Sequence, residues 1–117
     1  MITIQDTNVT IMTRDMDAAI AFYEKIGFTM KQRWDNHYAM MTAAGLTIGL
    51  HPTDADAAAT GSGSLSIGLM VDDIADAKAL LDDLSIAYKA EDGGSGKYVH
   101  FKDGDGTVIY YVQPGWE

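Results

Sequence analysis

The two halves of the chain carry the same order of apolar and acidic residues, 58 positions apart. Aligning Asp73 on Asp15 keeps the apolar residues in phase through three successive elements. The aligned pairs are Val9 with Ile67, Ile11 with Leu69, Ala19 with Ala77, Ile26 with Leu84 and Phe28 with Ile86. A repeat at half the chain length predicts one structural module used twice, because both copies must satisfy the same packing pattern.

Each copy predicts a strand, a helix and three further strands. Apolar residues alternate before an acidic cap residue and then recur at three- and four-residue spacing, which indicates a strand followed by a helix. Turns rich in Gly, Asp and Asn separate three short apolar runs after the helix. The predicted strands cover residues 7–13, 28–35, 38–42 and 46–51 in the first copy and 65–71, 86–91, 97–102 and 107–112 in the second.

These patterns predict an α+β fold in a single domain, residues 1–117, built from two βαβββ modules. The modules span about 1–52 and 65–117, and the small polar residues of 53–64 are typical of a linker. Each helix is expected to bury one sheet face and to leave the other free to curl around a ligand or a partner. A ferredoxin-like split βαβ arrangement is the alternative, but it has fewer strands after each helix.

Composition excludes several classes of function. The chain of 117 residues has no cysteine, so disulfides, thiolate nucleophiles and thiolate metal sites are ruled out. Its formal net charge of −9 disfavours nucleic acid as a partner, because phosphate binding needs a basic surface. No apolar run is long enough to span a membrane, and the first residues lack the pattern of a signal peptide. We therefore expect a cytoplasmic protein that has neither nucleic acid nor membrane as a partner.

Three stretches resemble the glyoxalase/bleomycin-resistance/dioxygenase superfamily, also called vicinal oxygen chelate proteins. They are NVTIMTRDMDAAIAFYEKIGF, IGLMVDDIADAKALL and YVHFKDGDGTVIYYVQP. Each motif is loose, but together they cover nearly the whole chain at the repeat offset. The resemblance implies a curled mixed sheet with the helices on its outer face. It also implies a function based on small molecules and a tendency of modules to pair, so we expect a homodimer.

Members of this superfamily typically hold a divalent metal with His, Glu, His and Glu. The resemblance maps these four positions onto Asn8, Gly49, Ser66 and Tyr110. None of the four is a usual ligand of such a dication, which prefers converging imidazoles and carboxylates. We therefore expect no metal and no other cofactor.

Other side chains are candidates for ligand binding. Asn8, Ser66 and Tyr110 offer uncharged donors and acceptors, although they could also simply bond one another. Met12, Trp34, Tyr38 and Met40 could form an aromatic and apolar wall, or be ordinary core. His51, expected on the same strand face as Gly49, and His100, expected beside Tyr98, could be a displaced metal pair, an acid/base pair or plain strand residues.

Three functional hypotheses follow. The first is a metal-free protein that binds a small molecule, as the drug-sequestering members of the family do. The second is an enzyme, a lyase, isomerase or dioxygenase, that uses a displaced metal or acid/base catalysis through His51 and His100. The third is a domain whose binding face is filled by a dimer partner.

Overall fold

The structure, a computed structural model, describes residues 3–5, 7–53, 65–93 and 96–115. The chain forms two compact units that divide between Thr60 and Gly61, within the predicted linker. Residues 54–64 of that linker lie outside the described residues. Each unit is therefore described by itself.

The first unit holds one helix and a four-stranded mixed sheet. Its elements are β1 (Val9–Thr13), α1 (Met16–Lys25), β2 (Thr29–Trp34), β3 (Tyr38–Ala43) and β4 (Leu46–Pro52). The strand order is β1-β4-β3-β2, with β1 parallel to β4 and the other pairs antiparallel. A parallel pair needs a crossover, and α1 lies within the segment that provides it.

Helix α1 begins where the sequence predicts. The Asp15 carboxylate accepts a hydrogen bond from the Ala18 backbone N–H at 3.1 Å, which satisfies one of the free donors at the helix start. Gly27, just past the helix, has a φ of 120°, a conformation that glycine adopts without a steric penalty. Inside the unit, Tyr23 of the helix and Ile48 of the sheet are fully buried, so the apolar stripe of α1 packs against one face of the sheet.

The second unit repeats this architecture. Its elements are β5 (Ser66–Met70), α2 (Ile74–Asp83), β6 (Lys89–Gly93), β7 (Gly96–Lys102) and β8 (Val108–Pro114). The order is β5-β8-β7-β6, again with one parallel pair, β5 with β8. Asp73 caps α2 by accepting from the Ala75 N–H at 2.9 Å, and the Gln113 side chain accepts from the Ile74 N–H at 2.9 Å. The α2 residue Leu81 and the sheet residue Ile109 are fully buried.

The two mixed sheets, one in each unit, confirm the α+β class and the βαβββ order, and they exclude the split βαβ alternative. One local prediction was wrong. The strand predicted over 86–91 begins only at Lys89, because Ser85 takes a φ of 58° and the Ile86 N–H turns back to the Leu81 carbonyl. Val9 lies two residues before buried Ile11 but is itself 41% exposed, because it opens an edge strand ahead of the buried part of the sheet. Among the residues described, no helix is long and apolar enough to cross a membrane.

Candidate functional site

Each sheet has a second face, which we call the distal face, formed by the residues that point away from the packed helix. Because strand residues alternate between the two faces, buried Ile11, Ala39 and Leu50 mark the helix side of the first sheet. Their neighbours along each strand therefore point to the distal face. The same alternation around Val99 and Ile109 defines the distal face of the second sheet.

Two rows of paired residues cross the distal face of the first unit. One row runs Gln32–Met40–Gly49–Thr10 through successive strand pairs. The second row pairs Trp34 with Tyr38 and His51 with Met12, and the Tyr38 and His51 ring centroids lie 6.4 Å apart. Neither row contains a Lys, Arg, Asp or Glu. The distal face of the first unit is thus mainly aromatic, sulfur-containing and hydroxylic along these rows.

Tyr38 covers Gly49. A β-carbon placed on Gly49 would overlap the Tyr38 hydroxyl and the adjacent ring atoms, so only glycine fits beneath this ring. The hydroxyl extends further to Thr10, with 3.4 Å between Tyr38 Oη and Thr10 Oγ1. On its other side the ring contacts Trp34, with centroids 5.8 Å apart. Tyr38 of β3 therefore reaches across β4 and contacts residues of all three other strands of the sheet.

The second unit has corresponding rows with different chemistry. One row runs Lys89–His100–Tyr110–Gly68 across all four strands. Residues paired directly across a sheet have β-carbons about 4.5–5.5 Å apart, so neighbours in this row are in contact range. The row places an ammonium, an imidazole and a phenol side by side, whereas the corresponding row of the first unit, Gln32–Met40–Gly49–Thr10, carries none of these groups.

The next row of the second unit runs Glu91–Tyr98–Val112–Met70. Tyr98 lies beside the first row, with ring centroids 6.0 Å from both His100 and Tyr110.

Tyr110 covers Gly68 much as Tyr38 covers Gly49. A β-carbon on Gly68 would lie 2.5 Å from the Tyr110 hydroxyl oxygen and 2.6 Å from the ring carbon that bears it. The His100 and Tyr110 centroids are 5.4 Å apart. In both units, then, a tyrosine phenol lies over a mid-strand glycine of the neighbouring strand.

The four positions that the resemblance assigns to metal ligands fall in both units. Asn8 immediately precedes β1 and is exposed, whereas Gly49 lies within β4 under the Tyr38 ring. Ser66 opens β5, is exposed and pairs with Val108 rather than with Tyr110. Their convergence on one site stays a prediction, as does the pairing of His51 with His100. Within the described ranges, no three His, Cys, Asp or Glu side chains are grouped so that they could hold a metal ion.

His51 has a defined ring orientation. Its Nδ1 lies 2.7 Å from the Pro52 carbonyl oxygen. A carbonyl only accepts hydrogen bonds, so Nδ1 carries the proton, and in the neutral ring Nε2 keeps its lone pair. Because the side chain is exposed, that lone pair is available for a proton or a metal ion.

Arg33 fixes the turn between Trp34 and Tyr38. Its guanidinium donates to the Asp35 carbonyl and to the Asn36 side-chain oxygen, each at 2.7 Å, and to the Asp17 carboxylate of α1 at 2.6 Å. These bonds hold the β2–β3 turn, in which Asp35 has a φ of 48°, against the start of the helix.

Sequence reasoning found most of the aromatic side chains of these faces but missed Thr10, Gln32, Gly68 and Lys89. Each of them enters its face only through pairing with another strand. Only Gly68 carried a signal in the sequence, because a glycine in the middle of a strand often marks the close approach of another group.

Comparisons with known proteins agree with the observed fold. The family model described as Glyoxalase/Bleomycin resistance protein/Dioxygenase superfamily matches residues 7–111. No curated protein sequence matches.

Three solved structures illustrate the fold. A bleomycin-binding protein in complex with bleomycin is 23% identical, with a TM-score of 0.68, over 94% of this chain and 98% of the other. An antibiotic-binding protein from Streptomyces sp. is 23% identical, with a TM-score of 0.74, over 97% and 100%. A fosfomycin resistance protein from Listeria monocytogenes, complexed with Mn(II) and sulfate, is 17% identical, with a TM-score of 0.79, over 98% and 94%. At these identities the likeness concerns the fold.

Proposed function

This chain belongs to the glyoxalase/bleomycin resistance protein/dioxygenase superfamily, and we propose that it binds a small organic molecule on its distal faces without a metal ion. In this proposal the protein sequesters a drug or a metabolite. The ligand contacts are assigned to Asn8, Met12, Trp34, Tyr38, His51, Ser66, His100 and Tyr110.

The placement of Tyr38 over Gly49 is the observation that carries the proposal. Gly49 supplies no side-chain donor at a position where the superfamily typically has a carboxylate. The space that such a side chain would enter is taken by the Tyr38 ring and hydroxyl. The donor set therefore does not fit a dication, which needs charged or imidazole ligands converging on one point.

The chemistry of the first distal face supports an aromatic or apolar ligand. Trp34 and Met12 are each 42% exposed, and Tyr38 lies beside them. Rings of this kind stack on planar groups, and thioethers adapt to irregular shapes. The structural neighbours described as a bleomycin-binding protein and an antibiotic-binding protein support the same idea of a face that binds organic molecules.

A titration with bleomycin, followed by tryptophan fluorescence and calorimetry, tests the proposal. We expect saturable binding that survives EDTA treatment and weakens about tenfold in Trp34→Leu, because stacking contacts of this size are worth about 1–1.5 kcal/mol. Tyr88→Leu, which removes a tyrosine outside both distal faces, is the matched control and should bind like the wild type. If bleomycin and a panel of planar drugs leave both fluorescence and thermal stability unchanged, the proposal fails.

A homodimer forms part of the proposal. The support is the habit of the superfamily, in which modules pair within or between chains. Sedimentation should then give twice the 12.6 kDa mass of the chain, and a single species at 12.6 kDa would contradict it.

An enzyme is the second candidate, and the orientation of His51 favours it. The exposed Nε2 of His51 could accept a proton or bind a displaced metal ion together with His100. The neighbour that holds Mn(II) provides the comparison. Metal analysis of the purified protein separates the candidates. Near-stoichiometric metal, lost together with thermal stability in His51→Gln, would favour the enzyme over the metal-free binder.

A further inference from the structure

The distal face of the second unit carries a row of hydrogen-bond donors that differs from the corresponding row of the first unit. The corresponding rows are Lys89–His100–Tyr110–Gly68 and Gln32–Met40–Gly49–Thr10. They occupy equivalent strands of the repeated module, because Thr10 and Gly68 are 58 positions apart and each pairs with the last strand of its own module. The two faces therefore offer different chemistry on one scaffold.

We infer that the Lys89–His100–Tyr110 row binds an oxyanion, a carboxylate or a phosphoryl group, carried by a small molecule. The inference deepens the proposed function, on which it rests, by assigning an anionic group of the ligand to the second unit. An ammonium and a phenol both donate hydrogen bonds, and an imidazole donates through its N–H. Three donors in one line match the several acceptor positions of an oxyanion.

The donors of this row are available. Among the residues that the structure describes, none forms a hydrogen bond or ion pair with the side chains of Lys89, His100 or Tyr110. Among those same residues, no buried side-chain nitrogen or oxygen lacks a partner. The unbonded polar atoms of His100 and Tyr110 are therefore open to water, and a ligand oxygen could take the place of that water.

The charges around the row also favour an anion. Lys102 lies two residues beyond His100 on the same side of β7, and Lys89 lies directly across from His100. The one acid in the two rows, Glu91, is paired with Tyr98 rather than with a member of the donor row. This concentration of positive charge stands out because the chain as a whole has a net charge of −9.

Ring packing holds the row in place. The rings of Tyr98, His100 and Tyr110 form a triangle, in which the His100 centroid lies 6.0 Å from that of Tyr98 and 5.4 Å from that of Tyr110. Tyr110 is confined from below by the Gly68 backbone, which leaves no room for a β-carbon. Since the rings restrict one another, an anion would meet donors that are already oriented, and little side-chain entropy would be lost on binding.

The inference is tested by NMR titration of the full chain with inorganic phosphate and with benzoate, at constant ionic strength set by chloride. We expect saturable shifts of the His100 ring and of the Lys89 and Tyr110 amides, with one of the two probes binding more tightly. Loss of one charge-assisted hydrogen bond at an accessible site should weaken binding roughly three- to tenfold in Lys89→Gln and in His100→Gln.

Lys97→Gln is the matched control, because it removes the same charge from the same strand pair but lies on the opposite side of β7 from His100. It should leave the affinity within about twofold, which is the effect of a distant exposed charge. Equal weakening by Lys97→Gln and Lys89→Gln, or the same shifts with chloride alone, would overturn the inference.

Failure here is distinguishable from failure of the proposed function. If bleomycin or another planar drug still binds through Trp34 while neither oxyanion shifts the row, the proposed function stands and the oxyanion site is rejected. Spectra of each variant, compared with the wild type before titration, show whether it folds. Tyr110→Phe, which keeps the ring over Gly68 but removes the donor, gives a third variant with minimal structural change.

Discussion

Replacing Gly49 by alanine tests the contact on which the first distal face is built. The added β-carbon would overlap the Tyr38 hydroxyl and ring, so the phenol must rotate away from β4. Rotation breaks the 3.4 Å contact with Thr10. It also exposes about 50 Å² of ring and backbone, which at about 25 cal/mol per Å² costs about 1.3 kcal/mol. With the weak, exposed hydrogen bond added, we expect a loss of about 1–2 kcal/mol.

Thermal and urea unfolding measure this loss. A change of this size should lower Tm by about 4–8 °C. Gly45→Ala is the matched control, because nothing lies within 4 Å of its added β-carbon and its φ is not in the left-handed region. That variant should be neutral or up to about 1 kcal/mol more stable.

The double variant Tyr38→Ala with Gly49→Ala completes a thermodynamic cycle. Once the ring is gone, the alanine at 49 has nothing to displace, so its cost should largely disappear and the two substitutions should be strongly non-additive. Additive losses, or a Gly49→Ala protein as stable as the wild type, would refute the argument that the phenol needs this glycine.

Two further predictions concern the core of the second unit. Burial raises the pKa of Tyr111 from 10.0 to about 12. The phenol therefore ionises at lower pH in the unfolded chain than in the folded one, so its contribution to stability is intact below pH 10 and is lost as the pH rises towards 12. Urea unfolding at pH 8, 10 and 11.5 should show this loss in the wild type and a smaller one in Tyr111→Phe. Leu81→Ala should cost about 2–5 kcal/mol because the side chain is fully buried, whereas Leu65→Ala, at a site 61% exposed, should stay within about 0.5 kcal/mol. Similar losses for the two leucines would contradict the assigned core.

The sequence predicted those parts of the fold that depend on local patterns. Caps at Asp15 and Asp73 and the alternation around Ile11 follow from neighbouring residues, and the repeat doubled each signal. The predicted start of the strand at Ile86 was wrong. The uncharged residues 86–88 have the composition of a strand, but the Ile86 N–H bonds back to the Leu81 carbonyl of the helix and the strand begins only at Lys89. Local pattern carries no information about that turn.

The site was less predictable because it is defined by register between strands. Alternation places Tyr38 and Gly49 on the same face, but only the β3–β4 pairing puts the ring of one over the backbone of the other. Likewise, Lys89 becomes part of the donor row only because β6 pairs it with His100 of β7. Pairing between strands distant in sequence is set by the packed core, which a single sequence does not display.

The two distal faces differ in the side chains that occupy equivalent positions of the repeated module. Thr10 and Gly68 are equivalent residues in the first strands of the two modules. Thr10 pairs with Gly49 of β4, and Gly68 pairs with Tyr110 of β8. A phenol and a β-carbon cannot occupy the same space, so each tyrosine requires a glycine beside it. In the first unit the tyrosine comes from β3 and lies over the glycine of β4. In the second, the tyrosine is on β8 and lies over the glycine of β5, while the β7 position that corresponds to Tyr38 holds Tyr98. The donor row of the second unit arises because Lys89, His100 and Tyr110 stand where the first unit has Gln32, Met40 and Gly49.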